Sequence, residues 1–180
     1  MSEINDEKTP LFRSRAAVRI AAAPHEVYSV ISDLPRSGEW SPECRGGTWV
    51  AGEPGAVGAV FQGENVRGPE VVSWAPVVRG GWTTRAEVVA AEPGRSFRWA
   101  MHNAAGVKQD SVWGFDVEED GEESMLIHHF RMGTATEGVV GITAEMDESG
   151  KRRFFAEWGE KIDGDLAATL RRIKEVIEKR

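Results

Sequence analysis

One long amphipathic segment closes the chain, and it constrains the fold more than any other feature. From about residue 151 to residue 180, apolar residues recur at steps of three and four, the period of one helix face. These residues are Phe155, Trp158, Ile162, Leu166, Leu170 (or Thr169), Ile173 and Ile177. A helix of about 28 residues is roughly 40 Å long. Because the preceding chain is typical of strands, this helix needs a sheet to lie on.

The preceding chain predicts an antiparallel sheet of short strands. Period-two runs are separated by turn signals such as Gly52-Glu53-Pro54-Gly55 and Glu92-Pro93-Gly94. Strands are predicted at 16–20, 48–50, 57–65, 81–90, 97–101, 111–117 and 124–132. After the first strand, Pro24 begins a short helix that ends near Ile31, and a second short helix or turn follows at 33–42.

Two segments do not fit this regular pattern. Residues 68–80 contain two prolines and Trp74, and residues 133–150 are glycine-rich in their first half. The first is predicted to be a long hairpin extension or lid loop, and the second a flexible loop or a short helix. Loops of this length usually carry function or are disordered. Trp40 and Trp74 lie in such irregular regions and are candidates for the rim of a pocket.

Composition limits the classes of partner. The chain of 180 residues has a net charge of −7, which argues against nucleic acid and against anionic membrane surfaces. No apolar run approaches the roughly 20 residues that span a bilayer, and the acidic N-terminus has no signal-peptide core. The single cysteine, Cys44, excludes an internal disulfide. We therefore expect a cytoplasmic protein with a flexible tail at 1–12 and one domain at 13–180.

The sequence offers little catalytic chemistry. It has no phosphate-binding loop, dinucleotide fingerprint or nucleophile elbow, and it predicts no cofactor. His128 and His129 are neighbours on a strand, so their rings point to opposite faces and one metal cannot readily bind both. His128 shares its face with Phe130. It is either a core histidine satisfied by a neighbour or a pocket group that donates to a ligand carbonyl or acts as acid or base, with Glu64 as its only plausible partner.

Seven tryptophans against one tyrosine indicate an unusual interior. Trp82, Trp99 and Trp113 lie on the apolar faces of successive strands, and Trp158 faces them from the final helix. These rings fit a packed core, or a partly open pocket that stacks on a planar or lipid-like ligand. Three polar residues share the inward parity of the strands: Asn65, Thr84 and Ser111. A packed core seldom accepts so many polar groups, whereas a pocket with water or a polar ligand head does.

Several motifs, in this order, resemble the START-like superfamily, also called SRPBCC, which includes the polyketide cyclase/dehydrase and lipid-transport group. They are Ala22-Ala23-Pro24-His25-Glu26-Val27-Tyr28-Ser29-Val30-Ile31-Ser32-Asp33, Glu39-Trp40-Ser41-Pro42-Glu43, Gly58-Ala59-Val60-Phe61-Gln62-Gly63, Trp82-Thr83-Thr84 with Glu92-Pro93-Gly94-Arg95-Ser96-Phe97, Trp113-Gly114-Phe115-Asp116-Val117 and Phe130-Arg131-Met132. The resemblance implies an α+β helix-grip fold. In it a curved seven-stranded antiparallel sheet wraps around the C-terminal helix, with two short helices between strands one and two.

The resemblance also implies a function, because members of this superfamily bind hydrophobic ligands in the tunnel between sheet and helix. We therefore expect this protein to bind, transport or sequester a small hydrophobic molecule that is lipid-, polyketide- or aromatic-like. The predicted ligand-binding residues are Phe61, Asn65, Trp82, Thr84, Phe97, Trp99, Trp113, Phe115, His128, Phe130, Trp158, Ile162 and Leu166. His128 and Asn65 are the predicted polar anchors.

Two other functions remain compatible with the sequence. A minority of the superfamily catalyse cyclisation, aromatisation or hydrolysis, but no catalytic residue is common to all members. A cyclase/aromatase or hydrolase acting on a polyketide-like substrate is therefore one alternative, with His128 and Glu64 as its acid/base groups. The other is a protein-interaction module similar to the activators of heat-shock chaperones, which would use the outer face of the sheet.

Overall fold

The computed structural model describes residues 9–179. Within that range the chain forms seven strands, three α-helices and one 3₁₀ helix. The strands are β1 (Phe12–Ile20), β2 (Cys44–Ala51), β3 (Val60–Arg67), β4 (Gly80–Glu92), β5 (Ser96–His102), β6 (Lys108–Asp120) and β7 (Glu123–Met132). The α-helices are α1 (Pro24–Ile31), α2 (Glu137–Thr143) and α3 (Glu148–Glu178), and the 3₁₀ helix is Leu34–Glu39. No helix of this part of the chain has the length and apolar character that a membrane span requires.

The strands form one antiparallel sheet in the order β1-β7-β6-β5-β4-β3-β2. Its register shifts at four places in the half away from β1, between Cys44 and Gly47, Trp49 and Ala51, Val88 and Ala90, and Ala100 and His102. Such irregularities bend strands and increase their twist. The curved sheet, the long C-terminal helix and the short helices between β1 and β2 confirm the predicted helix-grip fold.

The final helix differs from the prediction at its start. It begins at Glu148, where the side chain of Asp147 caps it by accepting a hydrogen bond from the backbone N–H of Gly150 at 2.7 Å. Phe154, not Phe155, is fully buried, and its ring stacks on that of Trp158 at 5.6 Å. The two phenylalanines are adjacent at the edge of the apolar face, so spacing alone did not distinguish them.

The apolar interior forms two clusters along α3. The first packs α1 and the sheet against the C-terminal part of α3, with Leu170 and Ile173 at its centre. The second packs the N-terminal part of α3, including Phe154 and Ile162, against residues of β1 and β7 and against Val139 of α2. Between the two clusters, side chains of the strands face a space that α3 does not fill.

Some predicted boundaries move. β1 begins at Phe12, earlier than the predicted strand at 16–20, and Phe12 is 7% exposed and packs against the second cluster. Residues 1–8 of the predicted tail lie outside the described residues. In the irregular segment 133–150, the short helix α2 forms. It is capped by the Thr136 hydroxyl, which accepts from the N–H of Val139 at 3.4 Å.

In the other irregular segment, 68–79, one arginine side chain makes many of the backbone contacts. The Arg79 guanidinium donates hydrogen bonds to five backbone carbonyls of the segment, at 2.7–3.3 Å, those of Gly68, Pro69, Val71, Val72 and Ala75. One of these residues, Val72, has a φ of 40°, which costs energy for a β-branched residue. Arg79 therefore keeps the segment in a conformation that its backbone alone would not choose.

We expect Arg79→Lys to loosen residues 68–79 without unfolding the domain. A lysine keeps the charge but has three donors in place of the planar fork, so most of the five carbonyl bonds are lost. Hydrogen exchange of this segment should accelerate by about tenfold or more, in line with about 1.4 kcal/mol of local stability. Arg95→Lys, at an exposed arginine in the β4–β5 turn, is the matched control. Equal exchange of 68–79 in both variants would contradict the role assigned to Arg79.

Candidate ligand-binding site

An inner pocket of about 310 Å³ lies between the concave face of the sheet and the middle of α3. Its floor and walls come from β3 to β7, its cover from Leu166 and Thr169 of α3, and its end wall from the 3₁₀ helix and the loop after it. The lining residues are Leu34, Ser37, Trp40, Ser41, Pro42, Glu43, Cys44, Phe61, Asn65, Arg67, Trp82, Thr84, Ala86, Trp99, Met101, Trp113, Phe115, His128, Asp165, Leu166 and Thr169. Most of these side chains lie on strands, at the alternating positions that point toward the concave face of the sheet.

A second, outer pocket of about 740 Å³ adjoins the first. It lies between β4–β6 and the N-terminal half of α3, and α2 forms part of its wall. The two pockets share Glu43, Arg67, Trp82, Thr84, Met101 and Trp113. These shared residues form a neck between an inner and an outer space.

Most of the predicted ligand-binding residues line one of the two pockets. Those in the inner pocket are Phe61, Asn65, Trp82, Thr84, Trp99, Trp113, Phe115, His128 and Leu166. Phe130, Trp158 and Ile162 line the outer pocket, together with Ser111. The structure therefore places twelve of the thirteen predicted residues around the two connected spaces.

The remaining residue, Phe97, was predicted to line the pocket, but the structure places it elsewhere. Its ring is fully buried and packs edge-on against Tyr28 of α1 at 6.2 Å and beside Trp99 at 5.9 Å. It has the predicted inward parity, but α1 covers this part of the sheet, so Phe97 belongs to the solid core and not to a pocket wall. The sequence did not indicate how far along the sheet α1 extends.

Glu64 was predicted as the possible acid/base partner of His128, and this prediction is wrong. It is exposed on the outer face of β3, where its carboxylate accepts a hydrogen bond from the hydroxyl of Thr83 at 3.0 Å. Residues 61, 63, 65 and 67 point inward on this strand, so residue 64 points outward. Glu64 and His128 lie on opposite faces of the sheet and do not form an acid/base pair.

His128 lies at the base of the inner pocket and is 4% exposed. Its imidazole stacks on Phe115 at 4.1 Å, and Trp99 and Trp113 flank it at 6.5 and 6.2 Å. Nδ1 lies 2.8 Å from the backbone carbonyl of Gly114, which only accepts, so Nδ1 carries the proton. Burial lowers the pKa of His128 to about 4, and the nearby His129 adds to this effect. The ring is therefore neutral at physiological pH.

A cluster of four charged side chains, which the sequence analysis missed, lies at the neck. Arg67 forms a bidentate pair with Glu43 at 2.5 and 3.0 Å, and Lys161 contacts Glu43 at 2.9 Å and Asp165 at 2.6 Å. The Arg67 guanidinium also lies between the rings of Trp82 and Trp158, at 4.4 and 4.9 Å. The cluster thus joins the 3₁₀–β2 loop, β3 and α3 across the opening of the inner pocket.

Burial and pairing act in opposite directions on the two carboxylates of this cluster. For Glu43, burial raises the pKa, but the hydrogen bonds and charges of Arg67 and Lys161 outweigh it and the net shift is downward. For Asp165, burial dominates over its contact with Lys161, and its pKa is raised. Two patterns could have pointed to three of these residues, since Arg67 continues the inward parity of Asn65, and Lys161 and Asp165 are spaced i, i+4 beside Ile162 and Leu166.

The two loop tryptophans differ in role. Trp40 is 3% exposed and forms part of the end wall of the inner pocket. Trp74 lines neither pocket. Its indole N–H donates to Glu157 at 3.0 Å, and Arg153 lies 4.3 Å above its ring. Trp74 therefore fastens segment 68–79 to α3.

A curved sheet, a gripping C-terminal helix and a pocket between them define this molecule as a helix-grip protein. Comparison with protein families then identifies the particular group. The family described as polyketide cyclase / dehydrase and lipid transport matches residues 12–178, and the chain belongs to this family. None of the curated proteins matches it.

Solved structures with the same fold include three informative neighbours. The Polyketide_cyc-like protein Cgl2372 from Corynebacterium glutamicum is 26% identical, with a TM-score of 0.58 over 96% of both chains. The Zhui aromatase/cyclase from Streptomyces sp. R1128 is 14% identical, with a TM-score of 0.61 over 93% of this chain and 94% of that one. The di-domain ARO/CYC StfQ of the steffimycin pathway is 12% identical, with a TM-score of 0.65 over 93% of this chain and 51% of that one.

Proposed function

We propose that this protein binds a small hydrophobic molecule in the inner pocket, between the sheet and α3. The observation that carries the proposal is the pocket itself. At about 310 Å³ it falls at the lower end of the range typical of small-molecule sites. More than half of its lining residues are aromatic or apolar, and polar side chains such as Asn65 and His128 lie among them, which suits a site that binds an apolar ligand with a polar group. Transfer of apolar ligand area out of water supplies the affinity, at about 25 cal/mol per Å².

The neck and the outer pocket support an entry route from the α2 side. The outer pocket leads to the charged cluster and shares Trp82 and Trp113 with the inner one. The family match supports a ligand-binding role, and the aromatase/cyclase neighbours support the fold that creates the pocket. Segment 68–79 is braced by Arg79, so α2 is the better candidate for a moving cover.

The two alternative functions receive less support. The acid/base pair that the sequence suggested does not form, because the pKa of His128 is lowered to about 4 and Glu64 lies on the other face of the sheet. A filled interior would favour an interaction module of the chaperone-activator kind, because such a module would use only the outer face of the sheet. The interior instead contains a pocket of about 310 Å³.

Filling the inner pocket should abolish binding while leaving the fold intact. Ala86 lines the pocket from β4 and is 5% exposed, so Ala86→Phe places a ring in the space that the ligand would occupy. We expect the affinity for the neutral fluorescent dye phenylnaphthylamine to fall by about tenfold or more, which corresponds to about 1.4 kcal/mol. Dye fluorescence titration measures the effect, and native mass spectrometry of the purified wild type looks for a co-purifying ligand.

The matched control is Ala17→Phe, which adds the same ring at an exposed position on the outer face of β1. It should bind the dye as the wild type does. Circular dichroism and thermal unfolding establish that both variants fold. A folded Ala86→Phe protein with unchanged dye affinity would rule out the inner pocket as the binding site.

A further inference from the structure

The inner pocket presents unpaired hydrogen-bond acceptors. Because Nδ1 of His128 donates to the Gly114 carbonyl, Nε2 has no proton and carries a lone pair. Nε2 makes no hydrogen bond to another group among residues 9–179, and the His128 side chain lines the pocket, so Nε2 is accessible from the pocket. An acceptor in such a position gains a hydrogen bond when water or a ligand donates to it.

Asn65 on β3 also has an acceptor without a partner among the described residues. Its amide nitrogen lies 3.2 Å from the Gly63 carbonyl, 3.4 Å from the Trp82 carbonyl and 3.0 Å from the Thr84 hydroxyl. Two of these partners only accept, so the amide orientation is fixed and Oδ1 is left as an acceptor. Within the described chain Oδ1 has no partner, and Asn65 is 9% exposed. Two side-chain acceptors, Nε2 of His128 and Oδ1 of Asn65, are therefore without a hydrogen-bond donor in this part of the chain.

The walls around His128 favour a flat ring. The imidazole and Phe115 are stacked with an interplanar angle of 11°, and Trp99 and Trp113 are tilted beside them. Aromatic side chains also pair favourably, edge-on or offset, with aromatic ligands. The inner pocket thus combines aromatic walls with acceptors that a ligand donor could reach.

We propose that the inner pocket selects flat aromatic compounds that carry a hydroxyl group, and that this hydroxyl donates to Nε2 of His128. This inference rests on the proposed function, because it names the ligand class of the same pocket. The opposite polarity is unfavourable, since a ligand carbonyl would set its lone pairs against that of Nε2. Moving the proton to Nε2 would break the hydrogen bond from Nδ1 to the Gly114 carbonyl.

A matched pair of probes tests this selectivity on the wild-type protein. Naphthol and its methyl ether have the same ring system, but only naphthol donates a hydrogen bond. We expect naphthol to bind about tenfold more tightly in isothermal titration or fluorescence quenching. In His128→Phe, which keeps a flat ring against Phe115 and removes the acceptor, the two affinities should become equal because naphthol loses its advantage.

The possible outcomes separate this inference from the proposed function. Equal affinities of naphthol and its ether for the wild type overturn the hydroxyl selectivity but leave binding in the pocket intact. Binding of neither probe also overturns the selectivity, and the dye titration with Ala86→Phe then decides whether the pocket binds ligands at all. A preference for naphthol that persists in a folded His128→Phe protein overturns the role of Nε2. If that variant fails to fold, His128→Leu removes the acceptor with a smaller side chain, and a preference for naphthol that persists in it overturns the role of Nε2.

Discussion

Arg67→Met should destabilise the protein by about 3 kcal/mol, because it leaves the largely buried Glu43 carboxylate without its strongest partner. Breaking one side of a buried ion pair typically costs about 3–5 kcal/mol. Lys161 still contacts Glu43 at 2.9 Å, so the lower end of that range applies. The variant also removes the hydrogen bond to the Val78 carbonyl at 2.9 Å and the cation between Trp82 and Trp158. Urea unfolding monitored by circular dichroism measures the loss.

Arg19→Met is the matched control. Arg19 also forms an ion pair, at 2.8 Å from Asp120, but its side chain is 62% exposed and we expect a loss below about 1 kcal/mol. The double variant Arg67→Met/Glu43→Gln should be more stable than the two single losses added together predict, because the uncompensated charge is gone. Equal losses for Arg67→Met and Arg19→Met would show that the neck cluster is not a stabilising element.

The fold could be predicted from the sequence because two hydrophobic periods dominate the sequence. Period two along the strands and the three- and four-residue steps of the final helix each bury one face, so a sheet and a helix had to meet. The same parity placed Asn65, Thr84 and His128 on the inner face, where the structure has them. Parity is a local property, and local properties are what a sequence displays most directly.

Features that depend on contacts between residues far apart in the sequence could not be predicted from it. Phe97 has the right parity, yet α1 covers it, and no local signal tells how α1 is laid on the sheet. The charged neck brings together Glu43, Arg67 and Lys161 from three separate elements, and each alone is typical of a solvated surface residue. The tautomer of His128 depends on one carbonyl of the neighbouring strand, a contact that only the β6–β7 register determines.

Acid should weaken the fold through His128 well before the carboxylates titrate. The pKa of this histidine is lowered from 6.5 to about 4 by burial, so the unfolded chain takes up a proton at a pH where the folded protein does not. Stability therefore falls as the pH drops from about 6.5 toward 4 and is fully present above 6.5. From pH 7.5 to pH 5 this one group removes about 2 kcal/mol. The pKa of His129 is also lowered, mainly by burial, and acts with the same sign.

Urea unfolding at pH 7.5 and pH 5 isolates the contribution of His128 when the wild type is compared with His128→Phe. The variant has no group at this position to protonate, so its stability should fall by about 2 kcal/mol less than that of the wild type between the two pH values. His25→Gln, at an exposed histidine on α1, should retain the full wild-type loss. A wild type and a His128→Phe protein with parallel pH dependences would mean that the imidazole has the same pKa in the folded and the unfolded state. The aromatic pocket would then be wetter than its walls suggest.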